Sequence, residues 1–156
     1  MRLSDHMPVG AILVPSCART RAELFPLLVD ALCQAHGLSD RDRILSAVFE
    51  REAKMSTAVG QGIAIPHARV ESAPGLCAAV AVCPEGLDFP APDGLPVRLA
   101  VLLVSPPSAA GLHVKALAAV GRMGTVRVAD LLASRDAAQF LARLRDGEDP
   151  GGRLTG

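Results

Sequence analysis

Hydrophobic and polar positions alternate with two different periods along this chain, and the change of period marks out its elements. Ala11 to Val14 is a short apolar run of strand type. From Thr20 onward the spacing becomes helical, with Leu24, Leu27, Leu28, Ala31, Leu32 and Ala35 on one face and Gly37 as a stop. Pro26 falls inside this pattern and is tolerated best near the first turns, where the missing N–H costs least. Ser39 is the expected cap of a second helix, with Asp40 and Asp42 in its first turn and Ile44, Leu45, Val48 and Phe49 as its buried face. Glu50-Arg51-Glu52 gathers charge near the end of that helix.

The middle of the chain reads as strands. Ser56 to Ile65 mixes small and β-branched residues with Gly60 and Gly62, which predicts short strands and tight turns. Leu76 to Val82 and Val97 to Val104 are continuous apolar runs, as buried strands require. The second of these is the more apolar and is placed centrally; Pro106 and Pro107 end it. Glu85 to Gly94 is rich in turn residues, and Asp88 and Asp93 within it read as solvated. Leu112, Ala116, Leu117, Ala119, Val120 and Met123 then fit one helix face, and Val126–Ala133 and Ala137–Leu144 two further short helices. The expected architecture is a single α/β domain over residues 1–146, a mixed sheet of about five strands with helices on both sides. The glycine-rich tail at 147–156 is expected to be disordered.

Composition narrows the function. The chain has 156 residues, half of them hydrophobic, which is enough for one core. Sixteen Lys and Arg balance sixteen Asp and Glu, and there is no Trp or Tyr. Without a net field or stacking aromatics, nucleic acid is not an expected partner. No apolar run reaches the roughly 18 residues of a membrane span, and Val9 to Val14 is too short and too acidic in its flank for a signal-peptide core. A cytoplasmic location follows as an expectation. The four cysteines form no C-x-x-C pair and read as buried free thiols in a reducing compartment.

Chemistry then rests on four histidines. His6 lies near the N-terminus, expected to fray, and His36 sits at a helix end where the dipole accounts for it. His67 follows Gly60-Gln61-Gly62-Ile63-Ala64-Ile65-Pro66. Pro66 fixes its own φ and pushes Ile65 into an extended state, so the strand should stop and present His67 at its mouth. This setting suits a presented side chain and equally a polar loop residue. His113 opens a helix after Gly111, on the face of Ala116, Leu117 and Val120. Both a buried core histidine and a neutral second imidazole beside His67 fit it. Arg51, near a helix end, suits the dipole there and equally the binding of phosphate.

Arg51-Glu52, Ser56-Thr57 and Gly60-x-Gly62-Ile63-Ala64-Ile65-Pro66-His67-Ala68 together resemble the active-site stretch of the fructose/mannitol and nitrogen-type enzyme IIA family of the bacterial phosphoenolpyruvate-dependent phosphotransferase system. The resemblance runs from the first strand to Leu144. It implies that His67 accepts a phosphoryl group, that Arg51 balances its charge, that His113 is a second histidine close by, and that Thr57, through its hydroxyl, binds the phosphoryl group together with Arg51. It implies a small histidine phosphocarrier protein as donor, and a membrane permease subunit or a regulatory target as the next partner. A domain that keeps the fold but only binds and controls a protein partner is the alternative. The transfer scheme requires no metal and no cofactor.

Overall fold

The structure is a computed structural model that describes residues 1–148. Two 3-10 turns, Leu3–His6 and Val9–Ala11, lead into β1 (Ile12–Leu13). Two helices follow, α1 (Arg21–His36) and α2 (Arg41–Lys54). Next come β2 (Ala58–Gly60), β3 (Ile63–Ala64), β4 (His67–Arg69), β5 (Cys77–Leu87) and β6 (Val97–Ser105). Three helices close the described chain, α3 (Ala110–Gly121), α4 (Thr125–Leu132) and α5 (Ala137–Glu148). The tail was expected to begin at Gly147, but α5 continues through Gly147 to Glu148; 149–156 lie outside the described residues.

The strands form one mixed sheet of six, in the order β1-β5-β6-β3-β2, with β4 also paired to β6. β5 and β6 are antiparallel, with Val80 opposite Val101, and form the spine of the sheet. Strand period decides which residue meets which helix layer. Along β6, Ala100, Leu102 and Val104 pack with residues of α1 and α2, among them Leu28, Leu32 and Val48. Leu99, Val101 and Leu103 pack with residues of α3 to α5, among them Ala116, Leu131 and Phe140. Both faces of β6 are therefore covered, which is why its sequence is a continuous apolar run and not an alternating one.

Local chemistry sets the helix ends. The Thr20 hydroxyl accepts from the Glu23 backbone N–H at 3.2 Å, capping α1, and Gly37 ends it in the left-handed region at φ 70°. His36 donates from Nε2 to the Ala78 carbonyl at 3.1 Å and so ties the end of α1 to β5. The cap residue of α2 is Asp40 and not Ser39, and its side chain makes no capping bond. Leu27 and Phe49, expected on buried faces, are partly exposed, because the helices offer the sheet narrower stripes than their sequences suggest. The N-terminus is not frayed: Leu3 and Met7 are buried in the α3–α5 layer and carry His6 with them. β5 extends to Leu87 through a register irregularity after Val82, so part of the expected turn region is strand. Cys33, Cys77 and Cys83 are buried as expected, whereas Cys17 is exposed.

Candidate functional site

Pro66 interrupts the strand without ending it. β3 stops at Ala64, the chain passes Ile65-Pro66, and pairing to the same neighbour β6 resumes in parallel at His67. The Pro66 carbonyl still accepts from Leu103 N–H at 3.0 Å, so only the missing proline donor breaks the ladder. His67 therefore opens β4, where sequence reasoning had it at the end of a strand. β2 and β3 are joined at Gly60-Gln61-Gly62, all three with positive φ (92°, 58° and 79°). The Asp93 carboxylate accepts the Gln61 N–H at 2.8 Å and pins this turn; it was expected to be merely solvated.

Backbone and side chain then connect α2 to the histidine. Glu52, on the last turn of α2, is buried and accepts from Thr57 N–H at 3.0 Å and from the Thr57 hydroxyl at 2.6 Å. Arg21 reaches the same carboxylate at 3.4 Å. The Thr57 carbonyl accepts from Ile65 N–H at 3.0 Å, and the Ile65 carbonyl lies 2.8 Å from Nδ1 of His67. A carbonyl only accepts, so Nδ1 carries a proton and donates it. In the neutral ring the free lone pair is then on Nε2. His67 is half-buried, and burial is the main cause holding its pKa below 6.5; Arg51 and Arg69 push the same way, while the Ile65 carbonyl and Glu52 oppose them.

His113 lies in the first turn of α3 with its ring centroid 5.4 Å from that of His67, the two planes at 66°. It is buried, and its Nδ1 is 2.6 Å from the hydroxyl of Ser105, the last residue of β6. Its Nε2 is buried with no hydrogen-bond partner among the described residues. Burial, His67 and Arg69 together lower its pKa to about 4, so it is neutral at pH 7.

The structure thus brings His67 and His113 together and places the charge of Arg51 close enough to act on His67. The Arg51 guanidinium itself donates to the Met55 carbonyl at 2.8 Å. The Thr57 hydroxyl proton is committed to Glu52, which leaves it only lone pairs to offer elsewhere. Three participants were missed by sequence reasoning. Glu52 stood in the motif that carries the resemblance but was given no role; its place beside Thr57 depends on the chain folding back after α2. Ser105 was hidden as the polar end of an apolar strand. Arg69 follows His67 by two residues, on the same side of β4, a relation hidden while the strand was read as stopping at Pro66. It is exposed and opens on a cleft shared with Arg43, Glu50 and Glu71. Among the described residues no cluster of three metal-ligating side chains occurs.

The family model for the phosphoenolpyruvate-dependent sugar phosphotransferase system, EIIA 2, matches residues 6–146. The chain belongs to this family. It is 32% identical over 120 residues to a PTS system fructose-specific EIIA component of Haloferax volcanii, covering 77% of this chain and 78% of that one. It is 30% identical over 148 residues to a nitrogen regulatory protein of Bradyrhizobium diazoefficiens, covering 95% and 91%. Among solved structures, the nitrogen regulatory protein IIA-Ntr of Neisseria meningitidis superimposes with a TM-score of 0.83 at 28% identity, over 91% of this chain and 98% of that one. The EIIA fold, a mixed sheet between helix layers, is the one described above. EIIA domains are phosphotransfer components of the system. Among the described residues no helix is long and apolar enough to cross a membrane.

Proposed function

We propose that this EIIA domain is a phosphoryl carrier that accepts a phosphoryl group on Nε2 of His67 and passes it on. The observation that carries the reading is the Nδ1–H donation to the Ile65 carbonyl, which leaves Nε2 as the nucleophile. The lowered pKa keeps that lone pair free at neutral pH. In the forward step the Nε2–P bond forms as the P–N bond of a donor phosphohistidine breaks, and the departing imidazole keeps the bonding electron pair. No proton has to move. The phosphorylated ring retains its Nδ1 proton and gains positive charge, which the Ile65 carbonyl stabilises. Negative charge on the phosphoryl oxygens meets Arg51 and Arg69, and His113 offers a buried neutral imidazole beside them. Thr57 contributes by holding Glu52 and Ile65 in place.

The proposed donor is a small histidine phosphocarrier protein in the cytoplasm. The proposed acceptor is a transport subunit, or the phosphorylation state is read by a regulatory target. The second reading is a non-catalytic binding module that controls a protein partner; the nitrogen regulatory relatives accord with its regulatory side alone. Retention of Arg51, His67 and His113 in one site favours transfer. Incubation with phosphoenolpyruvate, enzyme I and the small phosphocarrier protein decides between them by intact mass. One added phosphoryl group on wild type and none on His67→Ala is the expected result. No addition with a competent upstream pair would leave the binding module.

A further inference from the structure

The contact between Ser105 and His113 can be resolved by counting protons. The two groups lie 2.6 Å apart, Ser105 being 0% and His113 1% exposed. Nothing else among the described residues bonds to the Ser105 hydroxyl or to Nε2 of His113. Suppose Nδ1 carried the ring proton and donated it to the hydroxyl. The hydroxyl proton and the Nε2 lone pair would then both be buried without partners. If the hydroxyl donates to Nδ1 instead, only one group is left over, the N–H on Nε2. Buried polar groups without partners are costly, so the arrangement with a single orphan is favoured.

Resting on the carrier reading above, we propose that Ser105 is a positioning residue. Its hydroxyl fixes His113 in the tautomer protonated on Nε2, and so reserves that N–H as a hydrogen-bond donor for an oxygen of the phosphoryl group on His67. The fold supplies the setting for both. β4 pairs with β6 in the register His67 to Leu103 and Arg69 to Ser105, so Ser105 lies on the strand beside the phosphoryl site. The chain then turns through Pro106-Pro107 into α3, which returns His113 to the ring of His67. The orphan N–H has no partner among the described residues and acquires one when an anion arrives on the neighbouring ring, whose centroid lies 5.4 Å from that of His113. The alternative tautomer would present a lone pair to phosphoryl oxygens and repel them.

Nitrogen-15 NMR of the imidazoles reads the tautomer directly, in wild type and in Ser105→Ala and Ser105→Thr, alongside the rate of phosphoryl acceptance from the small phosphocarrier protein. Wild-type His113 should be protonated on Nε2. Ser105→Ala should lose that preference and accept phosphoryl roughly tenfold more slowly, the loss of part of one transition-state donor. Ser105→Thr, which keeps the hydroxyl, should recover the tautomer. Wild-type His113 protonated on Nδ1 would overturn the assignment without any variant. So would a displaced tautomer with an unchanged rate, or no change in either in Ser105→Ala. Wild type that takes up no phosphoryl group would overturn the carrier reading instead, and the tautomer measurement would still judge the role of Ser105.

Discussion

Acid should weaken this fold through His113, and the size of the effect follows from its burial. The folded chain holds the ring neutral down to about 4, against 6.5 for an ordinary histidine. Between those values the unfolded chain binds a proton that the folded chain does not, so stability falls as pH falls through that window. Each pH unit is worth about 1.4 kcal/mol, and the whole gap about 3 kcal/mol, a large fraction of a domain's stability. His67 is displaced in the same direction and adds to the trend. Urea unfolding of wild type and of His113→Gln between pH 7 and 4 isolates the His113 contribution, since carboxylates and His67 are common to both chains. His113→Gln should lower stability at pH 7 and show a shallower loss toward pH 4, the difference between the two chains narrowing by about 2–3 kcal/mol. Parallel slopes would refute the claim that the fold selects a neutral His113.

Other perturbations test separate links. Glu52→Ala removes the acceptor for the Thr57 N–H and hydroxyl and the partner of Arg21, and should cost about 2–4 kcal/mol in denaturant unfolding. Arg69→Gln should raise the pKa of His67, read by proton NMR titration, and slow phosphoryl acceptance severalfold without changing Tm, because its side chain is exposed. Arg51→Ala should slow transfer by about 10-fold or more if it meets the developing phosphoryl charge. The acceptance rate should stay flat from pH 8 down past 6.5 and fall only as His67 protonates below that value.

Much of this was legible in the chain because the two periods are clean. The apolar runs at 76–82 and 97–104 mark β5 and β6, which are covered on both faces over those runs, and their flanking turn residues and β-branched content favoured strand over buried helix. His67 and its Pro66 stood out because proline disrupts a ladder wherever it falls. What the pattern did not show was that β6 continues past the break, so that one neighbour receives both β3 and β4. Ladder pairing is a long-range fact, and an X-Pro step signals only the local loss of a donor. Glu52 and Ser105 were missed for a related reason. Each becomes meaningful through a residue it meets only after folding, Thr57 for one and His113 for the other. The tail boundary failed at Gly147 because one glycine weakens a helix without obliging it to end.

The central claim is chemical, that Nε2 of His67 takes the phosphoryl group because Nδ1 is held by the Ile65 carbonyl. Phosphorus-31 NMR of the chain phosphorylated through phosphoenolpyruvate, enzyme I and the small phosphocarrier protein distinguishes the two nitrogens, with site mapping to place the group on the chain. The account predicts a single phosphohistidine at His67, linked through Nε2 and absent from His67→Ala. A phosphoryl group on Nδ1, or on any residue other than His67, would contradict it.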